Sequence, residues 1–449
     1  MTNCIIKKIL FTIGIILLIF SAARLGITIK RGFSSGELLA NFPMYSVMER
    51  YNPVLFNSVK STESVWFTSG SICNVEDIEC KEVPGEWFYG PFHHLVHLPL
   101  TLFHSTLKSF TNSLLIIYVL ASLFILYFFS RYYFISHNKL FTVFIFALTF
   151  GQFAFLENLK QRNIEIAEFL LIFLALLAMK FKKEWLLGIS LSLAFLAKLL
   201  PLIFFPYLII KKRYVSVTIY LILVMVIAII TELVLGWGNW VLPKPATSHG
   251  IPSLASILGE HYLTGISHLR GSFYTFVLSF FTDIHLTSTS TIVTYKEKYF
   301  GLVNSGFFVF CALISFISIR NIYFNKNDTF FDFAIITSLM LLIFPRINPH
   351  YYIFCLFGIY YILHIFLCGR QDIINMKTSY KLLIIFLFVT ILLLFGYFVP
   401  FSVIDKIINQ DFPYFHFMAA YGIQGLATFL LWLLLIIIGP EKYNSESLS

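Results

Sequence analysis

The sequence predicts an all-α polytopic membrane protein of about 12 transmembrane helices, with large extracytoplasmic loops and an interfacial helix. Three observations carry that prediction. The 449 residues are 58% hydrophobic and 12% charged, with a mean hydropathy of +0.82, whereas a soluble domain carries about 25% charged residues. The apolar residues fall in runs long enough to cross hydrocarbon, or in paired shorter runs. The Lys and Arg residues behind the net charge of +9 collect in alternate connections, as they do in cytoplasmic loops. No basic stripe lies on a polar face, so no nucleic acid is expected as a partner.

Taken in order, the spans read as 9–27, 112–130, 140–156, 163–179, 184–197, 199–210, 214–235, 299–319, 330–345, 350–368, 381–399 and 416–438. The first, Ile9 to Ala22 after Lys7-Lys8, has the shape of a signal peptide, and Ser21-Ala22-Ala23 offers a small-residue cleavage site. An even number of crossings favours an uncleaved span instead. Lys7-Lys8, Arg131/Lys139, Lys180/Lys182/Lys183, Lys211-Lys212-Arg213, Arg320/Lys326, Arg370/Lys377/Lys381 and Lys442 then share one side, placing both termini in the cytoplasm. Residues 36–86, with eight carboxylates against three basic residues, fall on the other. This balance requires residues 184–210 to form a short helical hairpin turning near Lys198 and Pro201. One long helix there would invert everything after it.

Residues 1–449 thus read as a single integral membrane domain. Its first extracytoplasmic loop is 28–111 and its second is 236–298, with a shorter segment at 400–415. Segments this long are usually functional or disordered, and the aromatics of the first (Tyr45, Tyr51, Trp66, Trp87, Phe88, Tyr89) argue for order. HHLVHLPLTLF (93–103) reads as the interfacial helix, anchored by Trp87 and Tyr89. Cys73 and Cys80 lie in a polar stretch at a spacing that suits a disulfide outside the cytoplasm, while Cys4, Cys311, Cys355 and Cys368 sit in or beside apolar runs.

Chemistry has several candidate carriers. Glu37, in GELLANFPMY, is placed to act as a general base for an acceptor hydroxyl beside the outer face; Glu49 and Glu86 are its rivals. Glu86-Trp87-Phe88-Tyr89 pairs an acid with aromatic faces, a combination that suits a sugar's hydroxyl edges and C–H patches and equally suits an interfacial belt. His93, His94 and His97 contain an i,i+4 pair able to share a metal, but no third ligand is evident and no metal site is assigned. Arg162, Glu165 and Glu168 lie within two helical turns, so neighbours three apart share a face as a functional cluster or as a packing ion pair. A charge at a helix centre costs about 2.5–3.5 kcal/mol on insertion scales, so such residues usually face a water-filled cavity. Arg162, Lys198 and Arg346 would converge near the outer face, where a phosphate or diphosphate suits their donors. Arg346-Ile347-Asn348-Pro349-His350-Tyr351 makes a second donor-rich turn. No nucleotide-binding fingerprint, HExxH or GxSxG element appears.

Four segments resemble glycosyltransferase family 87, the GT-C-type enzymes related to polyprenyl-phosphate-mannose-dependent α-mannosyltransferases. NFPMY (41–45) resembles the Asp-Phe-x-x-Tyr element after the first span, and FYGPF (88–92) the Tyr-Pro-Pro-Phe element before the second. QRNIEIAEFLLIFLAL and LGISLSLAFLAKLLPLIFFPYLIIKKRY resemble the Gly-Gln/Asn-x-(Asn/Glu) helix and the Leu-Ala-x-x-x-Lys-x-x-Pro hairpin. NPHYYIF (348–354) resembles the late Ser-Pro-x-x-His-Tyr element. The resemblance implies a GT-C-like fold and transfer of a hexose, mannose first among them, from a polyprenyl-phosphate donor to a glycolipid or glycan acceptor. Retention or inversion, and the involvement of a divalent cation, stay open.

Arg162, Asn163, Glu165, Lys198, Arg346, His350 and Tyr351 become donor-side candidates, and Trp87, Tyr89 and His93 acceptor-side ones. The family's catalytic carboxylate matches Asn41 here, which cannot act as a base, so Glu37 or Glu86 inherits the role or the activity is changed. Arg162 likewise stands at the motif's glycine. Membrane lipids are the surroundings, with a bacterial plasma membrane the expected location and the site outside. A polysaccharide polymerase or ligase would favour clustered outer arginines. A flippase or transporter would show paired broken helices in two related halves, where one broken hairpin and no internal symmetry are seen. A non-catalytic relative is the remaining alternative.

Overall fold

The computed structural model describes residues 2–35, 51–54, 65–68, 71–74, 81–82, 98–132, 139–198, 200–235, 272–280, 282–286, 291–295, 297–344, 347, 349–368, 377–395, 397 and 422–440. Helical segments lie in every stretch read above as a span. They are α1 (Thr2–Ser35), α2 (Leu107–Tyr132), α3 (Lys139–Gly151), α4 (Phe153–Gln161), α5 (Glu165–Lys180), α6 (Glu184–Ala197), α7 (Phe204–Ile210), α8 (Tyr214–Leu235), α9 (Phe273–Ser279), α10 (Glu297–Phe324), α11 (Thr329–Ile343), α12 (Leu356–Cys368), α13 (Thr378–Leu394) and α14 (Ile423–Ile438). Short 3-10 segments, Leu200–Ile203 and Pro349–Cys355, lead into α7 and α12. Five helices among the described residues are long and apolar enough to cross a membrane, or six if one bent pair counts as a span. This is a helical integral membrane protein.

Two expectations need correction. The chain is not all-α: β1 (Val65–Thr68), β2 (Ser71–Asn74) and β3 (Lys81–Glu82) form an antiparallel sheet with Trp66 opposite Cys73. A second hairpin joins β4 (Thr282–Leu286) to β5 (Thr291–Tyr295), with Ile284 opposite Val293. Both lie in stretches read as outer loops, and Thr291-Ile292-Val293-Thr294 carries the β-branched composition that favours a strand. The other correction concerns 140–156, which is not one straight span. The helix breaks at Gln152 and resumes as α4 after a bend of 58°. A Cβ on Gly151 would lie 2.7 Å from Ser21 Oγ, and the Gln152 amide donates to the Tyr352 carbonyl at 2.8 Å. A close approach and a side chain drawn away together locate the kink.

The chain divides into two compact units that interleave in sequence: Met1–Ala22, His137–Phe155 and Pro252–Ser449 in one, Ala23–Ser136 and Leu156–Ile251 in the other.

In the first unit, α11 is buried from Phe330 to Leu342, as expected of a helix apolar on every face. Asp328 caps it by accepting from the Phe331 N–H at 3.0 Å. The Tyr361 hydroxyl donates to the other Asp328 oxygen at 2.7 Å and lies 3.1 Å from the Gly439 carbonyl. The Asn325 amide reaches Asp332 Oδ1 at 2.7 Å, so the polar groups at this end are bonded to one another. Trp432 Nε1 donates to Ser318 Oγ at 2.9 Å, joining α14 to α10. At the start of α14, Gly422 and Gly425 lie directly against the backbone of 272–276.

In the second unit, α5 packs against α2 and α6, and α6 against α8. Phe173 meets both Phe129 and Phe169 edge-on, with centroids 4.7 and 4.8 Å away. A Cβ on Gly188 would sit 2.7 Å from the Ser216 carbonyl, so the missing side chain is what lets α6 and α8 approach. Asn52 Nδ2 donates to the carbonyls of Thr101 and His104, both at 2.7 Å, closing the helical stretch 98–103.

Arg213 donates to Glu184 at 2.5 Å. Glu184 opens α6 and Arg213 follows α7, so the stretch between them leaves one end of the unit and returns to it. The two basic turns, Lys182-Lys183 and Lys211-Lys212-Arg213, therefore lie at one end. Lys182 and Lys212 take φ of 54° and 55°. In each turn the residue after them bonds back five positions, Lys183 to Ala178 and Arg213 to Leu208. These are Schellman closures with a basic residue where glycine is usual.

Candidate active site

The turn between α4 and α5 and the break after α6 bring charged side chains into the apolar interior of the second unit. Arg162, Glu165, Glu168 and Lys198 are 0%, 3%, 0% and 3% exposed. The α4–α5 turn is a third Schellman closure: Asn163 N–H bonds to Asn158 O at 3.0 Å and Arg162 N–H to Leu159 O at 3.3 Å. Arg162 takes the left-handed position, φ 55°. Lys198 ends α6 in extended backbone, φ −150° and ψ 154°, its N–H still held by Ala194 O at 3.2 Å. The break thus sends its side chain away from the helical row and toward α5.

Lys198 Nζ meets Glu165 Oε1 at 2.7 Å. In a buried setting such a pair is held by Coulomb attraction against a heavy desolvation penalty. One turn further along α5, neither oxygen of Glu168 has a hydrogen-bond partner among the described residues. Lys198 and Glu165 both act on it electrostatically. The Tyr118 hydroxyl of α2, also buried without a hydrogen-bond partner there, feels Glu165 as well. A carboxyl left in this state is costly to bury, and such exceptions mark strained or functional sites. Glu168→Met, which removes the carboxyl and leaves Glu165 paired, is expected to raise stability by about 1–3 kcal/mol. A higher unfolding midpoint in detergent micelles checks this; a lower one would mean that the fold itself satisfies Glu168.

The sequence-read candidates separate as follows. Glu165 and Lys198 stand together. Arg162 lies beside them in the chain, but its guanidinium donates to backbone: Nη1 to Lys160 O at 2.6 Å and Nη2 to Gly32 O in α1. The Asn163 amide donates to Gln161 Oε1 at 3.1 Å. His350 and Tyr351 sit in the 3-10 turn of the first unit, Tyr351 buried. Glu37, Asn41, Glu49, Glu86, Trp87, Tyr89, His93, His94, His97, Arg346 and Cys80 lie outside the described residues. So do the acceptor face and the Cys73–Cys80 pairing. Sequence reasoning missed two participants. Tyr118 is one Tyr in an apolar run and carries no signal of its own. The Gly32 carbonyl is invisible to a reading of side chains.

A helical membrane protein with a paired lysine and carboxylates buried beside a helical hairpin is the class these features define. Residues 87–345, more than half of the chain, match the model of glycosyltransferase family 87, and the chain belongs to that family. The matched stretch includes FYGPF, the α5 motif and the hairpin, while NFPMY and NPHYYIF fall outside it. No curated protein and no solved structure matches the chain.

Proposed function

We propose that this glycosyltransferase moves a hexose, mannose in the first instance, from a polyprenyl-phosphate donor to a hydroxyl of a membrane glycolipid or glycan. The buried Lys198–Glu165 pair carries the proposal. A lipid phosphate approaching Lys198 replaces a carboxylate already bound there, so the site is preformed for a monoanionic or dianionic oxygen ligand. Glu165, displaced, then faces Glu168. In the transfer, the acceptor oxygen attacks the anomeric carbon while the bond from that carbon to the phosphate oxygen breaks. The electron pair leaves with polyprenyl phosphate, and the acceptor proton passes to a carboxylate, Glu37 or Glu86. Twelve crossings with both termini in the cytoplasm would put this chemistry on the outer face of a bacterial plasma membrane, where a lipid-borne donor needs no soluble nucleotide. The two basic turns at one end of the second unit support that orientation.

The test is sugar transfer by purified protein in lipid nanodiscs, with radiolabelled polyprenyl-phosphate hexose and a glycolipid extract. Transfer is expected in the wild type. Its loss is expected in either Glu37→Gln or Glu86→Gln, by about 100-fold or more with donor binding intact, since a general base contributes about 10²–10⁴-fold. Donor binding without transfer in the wild type would favour a second reading, a non-catalytic binder of lipid-linked sugar, which Asn41 at the family's carboxylate position supports. Absence of donor binding would overturn both.

A further inference from the structure

The geometry points to Arg162 as a positioning residue, a double helix cap that ties the end of α1 to the turn between α4 and α5. A helix ends with four backbone carbonyls that have no partner of its own. Gly32 is one of the last four residues of α1, and Lys160 one of the last four of α4. One guanidinium satisfies a carbonyl of each, with its positive charge at the negative ends of both dipoles. The turn's own backbone bonds already satisfy Asn158 and Leu159. The Arg162 side chain thus takes over the next carbonyl and at the same time ties α1 down.

The contacts, and not the backbone, single out this turn: Arg162 holds the same left-handed conformation as Lys182 and Lys212 in the other two closures, but its side chain reaches two helix ends. Gly32 in turn is closely packed: a Cβ there would lie 2.9 Å from Leu115 Cδ2 and 3.6 Å from Arg162 Nη2. The backbone at this turn is one that glycine would adopt without strain, and what the arginine adds there is its side chain. Beyond Gly32 the chain runs within a few residues to Glu37 and Asn41, and two residues after Asn163 it reaches Glu165. Arg162 therefore ties the root of the loop bearing the candidate base to the turn that opens onto the Lys198–Glu165 pair. In this role its two terminal nitrogens serve the carbonyls of Lys160 and Gly32.

The kinetic part of this inference rests on the proposed function; the structural part does not. Arg162→Gly keeps the backbone and removes the cap. Amide hydrogen exchange in nanodiscs is expected to quicken by about tenfold or more in residues 32–36, with α2 and α5 unchanged. Transfer is expected to lose about 10–100-fold in kcat, as misplacement of reacting groups does, with the donor KM within about threefold of wild type. Arg162→Lys, able to reach one carbonyl but not both, should fall between, and it carries the test if the glycine variant does not fold. Unchanged exchange at 32–36 would overturn the brace, whatever the activity. Faster exchange with unchanged kcat would overturn its part in the reaction, and a raised donor KM with unchanged exchange would return Arg162 to the phosphate. A wild type without transfer would sink the proposed function, leaving the brace to be judged by exchange alone.

Discussion

Lys198→Ala is expected to destabilise the protein by about 3–5 kcal/mol, because it strands Glu165 as a buried charge beside Glu168. The double variant Lys198→Met with Glu165→Leu removes both charges and fills similar volume. It is expected to regain most of that loss, since apolar replacement of a buried ion pair is often neutral or stabilising. Thermal unfolding in micelles measures both. Donor-lipid binding to the same two proteins then separates structure from function. A phosphate contact made by Lys198 predicts no binding to either variant, although the double one is stable. Binding retained by the double variant would make the pair a packing feature and move the donor phosphate elsewhere.

Gly425→Ala is the second large effect. A Cβ on Gly425 would lie 2.1 Å from Phe273 N and 2.3 Å from Ser272 C, both backbone atoms that no rotamer change can move. Relief requires α9 and α14 to part, and with them the tilted ring pair of Phe273 and Phe429, whose centroids are 4.9 Å apart. Overpacking usually costs about 1–3 kcal/mol, and a backbone collision belongs at or above the top of that range. Gly306→Ala in α10 is the control: nothing lies within 4 Å of its Cβ position, so helix propensity alone predicts a gain of up to about 1 kcal/mol. Midpoints that fell equally in the two variants would remove the close approach as the cause.

Much of this architecture was legible because hydrocarbon imposes length and composition on every helix that meets it. The apolar runs and the basic turns at Lys182-Lys183 and Lys211-Lys212-Arg213 could be read directly. Pairing could not. Glu165 and Lys198 are 33 residues apart, and only the return of the chain from Glu184 to Arg213 explains why the intervening break faces α5. The bend at Gln152 escaped because Gly151-Gln152 is a mild interruption; the groups that meet it, Ser21 and the Tyr352 carbonyl, are distant in sequence. The β4–β5 hairpin was hidden for a different reason, being a short strand pair within a long stretch classified by its length. Arg162 gave no hint of its backbone, since arginine rarely adopts the left-handed region.

The interleaving of the two units has a consequence for biosynthesis. Once Ile251 has been made, every residue of the unit holding Lys198 exists, whereas the other unit still lacks everything from Pro252 onward. At about 5–20 residues per second, the remaining stretch takes on the order of ten seconds or more to emerge. During that interval the amino-terminal half of α1 is already in the bilayer, and the Ala147 carbonyl that accepts its Ser21 hydroxyl at 2.7 Å is present. The helices from α9 to α14 that complete its unit are not. The charged cluster around Lys198 is thus able to be sealed from lipid early, before the other unit closes.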